Sequence, residues 1–150
     1  MADKYDFRSF TLEVRDDGVA VALLDRPPVN AVSLSVYEDI GHFADHVDQD
    51  DRIRAIVITA PDGARAWCGG ADLNEFKGMT AEKRKERYEF INQQLPRFHR
   101  IDRPMIAAIR SAAVGVGVML AGMCDLRVAA ETARFACPEV DYGLIGGSAG

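Results

Sequence analysis

The stretch Ala66-Trp67-Cys68-Gly69-Gly70-Ala71-Asp72-Leu73 carries the clearest information on the fold of this 150-residue chain. It leads from a short apolar run through a glycine turn into a polar segment, as at the end of a buried strand. Glycines at such an end let the backbone approach a ligand and leave N–H groups free to point into a cleft. Because glycine is also the default turn residue, this turn taken alone could be no more than a tight turn.

A second glycine turn, Gly115-Val116-Gly117, opens a short apolar helix further along the chain. The first N–H groups of a helix are unpaired, and the helix dipole favours a negative oxygen there. Two such turns that converge would form an oxyanion hole. A dinucleotide site is the competing interpretation, but the GxGxxG pattern requires glycine at position 120, where Leu120 stands.

Strands and helices alternate on both sides of these turns. Ser35 with Glu38 predicts a capping box at the start of the first helix. The apolar face of that helix is predicted to carry Val36, Ile40, Phe43 and Val47. The predicted strands cover 10–14, 19–24, 53–58, 105–109, 125–129 and 134–137. This alternation predicts α/β layers in a single domain over residues 1–150.

A long amphipathic helix is predicted over residues 81–100. Its apolar face is expected to carry Tyr88, Ile91, Leu95 and Phe98. Its basic residues, which are Lys83, Arg84, Lys85 and Arg87, are expected to form the solvated face. They could also meet phosphates of a ligand.

The composition restricts the class of protein. A net charge of −5, from 18 basic and 23 acidic residues, argues against a nucleic-acid partner. The three cysteines have no CxxC spacing, which favours a reduced compartment. The N-terminus lacks the pattern of a secretory signal, and the longest apolar stretch, 112–123, is too short to span a bilayer. We therefore predict a soluble, cytoplasmic protein with no membrane partner.

Two other side-chain patterns could suggest chemistry. His42 and His46 are spaced as metal ligands on one helix face would be, but they lack the glutamate of HExxH, so solvated histidines are favoured and no metal site is predicted. Cys68 lies in the first glycine turn without a histidine near it in sequence, so a small packing residue is favoured over a nucleophile.

Glu139 is the acidic residue of most interest. It follows Pro138 after the apolar strand at 134–137, and Asp141 lies two residues further on. Carboxylates with apolar neighbours are suited to proton transfer near neutral pH. A surface or capping role is the alternative, because most carboxylates are exposed.

Six segments in order resemble the enoyl-CoA hydratase/isomerase (crotonase) family. They are Leu24–Ala31, Ala66–Leu73, Arg103–Ile109, Ala112–Gly117, Cys124–Ala130 and Phe135–Glu139. The resemblance implies an α/β spiral of repeated ββα units, assembled as trimers or hexamers formed by two trimers. It also implies an acyl-CoA thioester substrate and no separate cofactor, because coenzyme A is part of the substrate.

The resemblance also implies roles for particular residues. The backbone N–H groups of Ala71 and Val116 would bind the thioester oxygen, and Glu139 would be the general acid/base. The residues expected to contact the acyl-CoA are Pro28, Val29, Ala31, Gly70, Asp72, Leu73, Asn74, Gly115, Gly117, Met119, Pro138 and Asp141.

Three departures from the family pattern bear on function. Hydratases of the family use two glutamates, and the position of the first is occupied by Met119, whose thioether cannot transfer a proton. Double-bond isomerisation with one glutamate is therefore favoured over hydration. Val116 replaces the central glycine of a triplet, so its side chain would reshape the pocket. The family's C-terminal helical part is expected to be absent, which would leave a face to be covered. A non-catalytic binding protein on this scaffold is the alternative.

Overall fold

Nine strands and three α-helices alternate within residues 3–142, the part of the chain that the computed structural model describes. The strands are β1 (Asp3–Asp6), β2 (Phe10–Val14), β3 (Val19–Leu24), β4 (Ala55–Thr59), β5 (Ala66–Cys68), β6 (Met105–Ile109), β7 (Ala112–Val114), β8 (Leu126–Ala129) and β9 (Arg134–Ala136). The helices are α1 (Leu34–Gln49), α2 (Ala81–His99) and α3 (Val116–Met123). Two 3-10 helices cover Leu73–Phe76 and Pro138–Tyr142.

The strands form two sheets that share a repeating unit. The larger sheet has the order β1-β2-β3-β4-β6-β8, antiparallel up to β3 and parallel from there, and the smaller parallel sheet has the order β5-β7-β9. In each of the consecutive pairs β4/β5, β6/β7 and β8/β9, the first strand belongs to the large sheet and the second to the small one. The predicted ββα repeat is thus confirmed. Because β5 and β7 are parallel neighbours, the turns that follow them lie at the same end of the small sheet.

The core lies between the large sheet and α1. Val36, Ile40, Phe43 and Val47 are all buried, which confirms the predicted inner face of α1. Trp67 of β5 is 1% exposed, and its indole N–H donates to the Ile58 carbonyl at 3.3 Å. This bond satisfies the only polar atom of the side chain, so that β5 can be buried beneath the glycine turn that follows it.

The prediction of a capping box at Ser35 and Glu38 was wrong. Helix α1 begins at Leu34, and the hydroxyl of its N-cap residue, Ser33, pairs with the Ser35 hydroxyl at 2.8 Å instead of capping the helix. Glu38 forms an ion pair with Arg8. A local cap is not needed because a carboxylate from a distant segment, described below, binds the first N–H of α1.

Helix α2 is rotated relative to the prediction. Arg87, expected in solvent, is 3% exposed, whereas Tyr88, expected inside, is 40% exposed. The buried residues of α2 are Arg87, Ile91, Gln94 and Phe98, which recur every three or four positions on the face that packs against α1. Burial of Arg87 is possible because its guanidinium pairs with Glu75.

Strands β8 and β9, each at one edge of its sheet, are exposed along their length. Leu126, Val128 and Phe135 are each more than half exposed. Within residues 3–142, no helix combines the length and the apolar character that crossing a membrane requires.

Candidate active site

The two glycine turns predicted from the sequence pack directly against each other. A β-carbon placed on Gly70, whose φ is +91°, would lie 2.9 Å from the Val114 carbonyl oxygen. One placed on Gly117 would lie 2.6 Å from the Cys68 carbonyl oxygen. Both distances are shorter than a carbon atom can accept, so only glycine allows the two backbones this approach. The turn after β5 and the start of α3 therefore form one continuous backbone surface.

The Ala71 N–H points away from the neighbouring segment at Val32. The Val32 N–H donates to the Gly70 carbonyl at 2.8 Å, and the Asp72 N–H donates to the Val32 carbonyl at 2.9 Å. In extended backbone successive N–H groups point to opposite sides, so the Ala71 N–H faces the other way. It has no hydrogen-bond partner among residues 3–142. It is therefore available to a ligand.

The Val116 N–H opens α3 and is also without a partner in the described part of the chain. Gly115, the N-cap residue with φ of +53°, donates its own N–H to the Ala136 carbonyl at 2.8 Å. The Gly115 carbonyl accepts from Val118 at 2.9 Å and from Met119 at 3.3 Å. Because Val116 is the first residue of the helix, its N–H lies at the positive end of the helix dipole.

Glu139 lies beside the start of α3. It belongs to the 3-10 helix Pro138–Tyr142, which directly follows β9, the strand that holds the Gly115 N–H. A β-carbon on Gly115 would lie 2.7 Å from Glu139 Oε1, so the carboxylate occupies the space above the Gly115 α-carbon. Glu139 is half-buried. The structure thus brings this carboxylate next to the unpaired N–H of Val116.

Met119 and Asp141 occupy different positions near the Glu139 carboxylate. Met119 follows Gly115 by four residues, so it lies one turn along on the same face of α3, partly buried against the core. Asp141 is exposed. It lies two residues after Glu139 in the 3-10 helix Pro138–Tyr142.

Arg26 fixes the turn that precedes α1 against the first glycine turn. Its guanidinium donates to the Ala31 carbonyl at 2.8 Å and to Asp72 Oδ2 at 3.1 Å. The Gly69 N–H also donates to the Val29 carbonyl at 2.8 Å. The predicted CoA-contacting segments, Pro28–Ala31 and Ala71–Asn74, are thereby held side by side. Arg26 lies in the family-like segment Leu24–Ala31, but its linking role is not visible in the sequence, because Ala31 and Asp72 are distant from each other along the chain.

Asn30 shapes the same turn from inside. It adopts a φ of +52°, and its side-chain amide donates to the Ala66 carbonyl at 3.0 Å. Its amide oxygen accepts from the Arg26 N–H at 2.7 Å. Asparagine tolerates the left-handed conformation better than most residues do, which is the sequence signal that could have identified this role.

The charge on Asp72 is stabilised locally. Burial opposes ionisation of this carboxyl, but the Asn74 N–H at 3.1 Å and the Arg26 guanidinium outweigh it and lower the pKa of Asp72. Asp72 therefore remains a carboxylate and is a poor source of protons. Leu73 and Asn74, which follow it, are exposed at the mouth of the site.

The alternative chemistries considered for this region gain no support. Cys68 is 1% exposed, and burial raises the pKa of its thiol to about 11, so the predicted packing role is confirmed. His42 is exposed, and the His46 ring packs on Tyr5 with the ring centroids 4.1 Å apart. Across residues 3–142, no three His, Cys, Asp or Glu side chains are grouped as metal ligands.

Comparison with known proteins gives a consistent result. A family model described as enoyl-CoA hydratase/isomerase matches residues 14–150. A Bacillus subtilis (strain 168) protein named "Probable enoyl-CoA hydratase" is 36% identical over 136 residues, which cover 90% of this chain and 52% of that protein. The short-chain-enoyl-CoA hydratase of Clostridium acetobutylicum is 29% identical, with 91% and 52% covered.

Solved structures agree with these matches. The crystal structure of an enoyl-CoA hydratase from Bacillus anthracis superposes with a TM-score of 0.85 at 28% identity, and the match covers 94% of this chain and 55% of that one. The chain thus spans about half the length of these three relatives.

Proposed function

Because this chain belongs to the enoyl-CoA hydratase/isomerase (crotonase) family, we propose that it works as an acyl-CoA enzyme that stabilises a thioester enolate. Its crotonase-like spiral of ββα units supplies two backbone N–H donors at adjacent turns. The proposal rests above all on one observation, the Glu139 carboxylate seated over Gly115 beside the unpaired Val116 N–H.

The Ala71 and Val116 N–H groups would act as the oxyanion hole. When a proton leaves the carbon next to the thioester, negative charge develops on the thioester oxygen. Two preorganised donors aimed at that oxygen stabilise the charge without having to reorient, and each is typically worth about 2.7–4 kcal/mol. The valine side chain does not interfere with this role in principle, because only the backbone N–H is used.

Glu139 would move the proton. In isomerisation of a 3-enoyl-CoA, its carboxylate takes a proton from C2, and the electrons shift onto the thioester oxygen as an enolate. The same carboxyl group then returns a proton to C4, which leaves a 2-enoyl-CoA and regenerates the carboxylate. One acid/base group is enough for this reaction. Asp72 is not suited to share it, since its lowered pKa keeps it ionised.

Hydration is the second candidate for the same site. The names of the B. subtilis, C. acetobutylicum and B. anthracis relatives favour it. Met119 favours isomerisation, because a thioether one helical turn from Gly115 can neither hold a water as a base nor donate a proton. We therefore place isomerisation of a double bond ahead of addition of water.

The decisive experiment replaces Glu139 by glutamine and measures both reactions. Glu139→Gln should lower kcat for 3-enoyl-CoA isomerisation by at least about 10²-fold, because general acid–base catalysis contributes 10²–10⁴-fold. Acyl-CoA affinity, measured by calorimetry, should change little, because the side chains are nearly isosteric. Glu131→Gln is the matched control: it is the same chemical change at an exposed turn between β8 and β9.

The outcomes separate the candidates. Wild-type hydration faster than isomerisation, with both lost in Glu139→Gln, would favour a hydratase. Turnover indifferent to Glu139→Gln would place the acid elsewhere. Tight acyl-CoA binding without any turnover would support the non-catalytic binding protein. The assembly of trimers or hexamers is a separate proposal, which sedimentation of the protein would test.

A further inference from the structure

Glu75 joins three segments of the chain at one point. Its two carboxylate oxygens both accept the Leu34 N–H at 3.1 Å, and Oε2 accepts from Arg87 Nη1 at 2.5 Å. Leu34 begins α1, Arg87 belongs to α2, and Glu75 itself lies in the 3-10 helix Leu73–Phe76. The carboxylate therefore supplies the capping hydrogen bond that the N-cap residue Ser33 does not make, at the helix end where a negative charge is favoured.

Arg87 is an unusual choice of partner for Glu75. Its side chain is 2% exposed, its guanidinium carbon lies 5.0 Å from the centre of the Phe76 ring, and its Nε–H has no partner within residues 3–142. Burying a charged group is costly, and apolar residues of similar size often replace a buried ion pair without loss of stability. The pair is therefore a candidate for a role besides stability.

Glu75 of this ion pair is close in sequence to Ala71, one of the two proposed oxyanion-hole residues. Glu75 follows Ala71 by four residues, and its N–H donates to the Asp72 carbonyl at 3.1 Å. The segment from Ala71 to Phe76 is thus held at Asp72 by the partly exposed Arg26 and at Glu75 by the buried Arg87. A shift of Glu75 would rotate this short segment and with it the Ala71 N–H.

We propose that Glu75 and Arg87 are positioning residues that hold the Ala71 N–H in the direction of the thioester oxygen; this inference rests on the role proposed above for Ala71. Of the two segments expected to contact the CoA moiety, the turn Pro28–Ala31 is held by Arg26 rather than by this pair, so part of the binding surface is kept without the pair. Loss of the ion pair should therefore reduce transition-state stabilisation more than substrate binding, which means a fall in kcat at nearly constant KM.

The test compares three variants of the pair with a control. Arg87→Met removes the positive charge, and Arg87→Lys keeps the charge without the planar guanidinium. Arg87→Met/Glu75→Gln removes both charges and so avoids leaving a partly buried carboxylate without its partner. The control is Lys85→Met/Glu89→Gln, which removes an exposed ion pair of 3.8 Å from the same helix.

We expect the double variant at the buried pair to fold with a melting temperature near that of the wild type. Its kcat should still fall by about 10- to 100-fold, as a small misplacement of a catalytic group does, with KM changed less than about threefold. Arg87→Lys should recover part of kcat. The control should match the wild type. A folded double variant with wild-type kcat would overturn the inference.

Hydrogen exchange separates this inference from the proposed function. The Asp72 and Glu75 N–H groups, which are bonded in the wild type, should exchange at least about ten times faster in the double variant and not in the control, because the segment opens locally more often. Faster exchange in a protein that shows no turnover would keep the positioning role and reject the enzyme. Unchanged exchange would reject the positioning role whatever the activity.

Discussion

Replacing Gly117 by alanine should disrupt the contact between the two glycine turns. A β-carbon at this position would lie 2.6 Å from the Cys68 carbonyl oxygen and 2.8 Å from the Cys68 β-carbon. Both atoms belong to a buried strand end and cannot rotate away. Gly122 offers a matched control in the same helix, since a β-carbon there would meet nothing within 4 Å.

The size of the effect follows from comparing the two variants. Alanine favours a helix over glycine by up to about 1 kcal/mol, and this gain is available to both. Overpacking in a close-packed region costs about 1–3 kcal/mol. Gly117→Ala should therefore unfold at a lower urea concentration than Gly122→Ala, with a difference of about 1–3 kcal/mol in the free energy of unfolding.

Activity should respond more strongly than stability does. If the protein relieves the clash by separating α3 from β5, the Ala71 and Val116 N–H groups move apart and could no longer act together as the proposed oxyanion hole. Loss of one donor lowers kcat by about 10²–10³-fold. Urea unfolding followed by circular dichroism and turnover of an enoyl-CoA measure the two effects. A Gly117→Ala protein as stable and as active as Gly122→Ala would refute this account of the contact.

Four further predictions follow from the same geometry. Ala71→Pro, once circular dichroism shows it to be folded, should lose far more turnover than Ala71→Ser, because proline removes the N–H and serine keeps it. Met119→Glu should raise the ratio of hydration to isomerisation in paired rate assays, provided that the carboxylate is accommodated; an unchanged ratio would separate Met119 from the reaction. Calorimetry should show acyl-CoA thioesters binding much more tightly than the corresponding free acids, whereas equal affinities would contradict the proposed substrate class. Asp72→Asn should be less stable than the wild type at pH 7; since the pKa of Asp72 is lowered on folding, this difference should begin to shrink as the pH falls below about 4 and should disappear only below the lowered pKa of the folded protein.

The elements that could be predicted are those whose own residues carry an apolar pattern. The apolar spacing of α1 identifies its buried face directly, and this prediction was confirmed. Strand β1 was missed because Asp3–Asp6 is short and polar and is held as a strand only by its pairing with β2. No apolar pattern marks such an edge strand.

The site could be predicted as a set of residues but not as a set of contacts. Glycine turns and a carboxylate after an apolar strand are visible in the sequence. The cap of α1 is not, because Leu34 and Glu75 are 41 positions apart. The burial of Arg87 depends on the same carboxylate, so a basic residue in a helix was assigned to solvent by default. Both errors arose where a polar group finds its partner only in the folded chain.

The two-sheet repeat has a consequence for the angle at which two donors would approach one oxygen. Ala71 and Val116 follow β5 and β7, which are adjacent parallel strands. Neighbouring strands are about 4.8 Å apart, so two N–H donors separated by that spacing and each about 2.9 Å from a shared oxygen would subtend an angle of about 110° at it. This is close to the tetrahedral directions in which an enolate oxygen accepts hydrogen bonds. Strand spacing, a property of every parallel sheet, would thus set the separation of the two donors, whereas the direction of each N–H would depend on the contacts that hold its own turn.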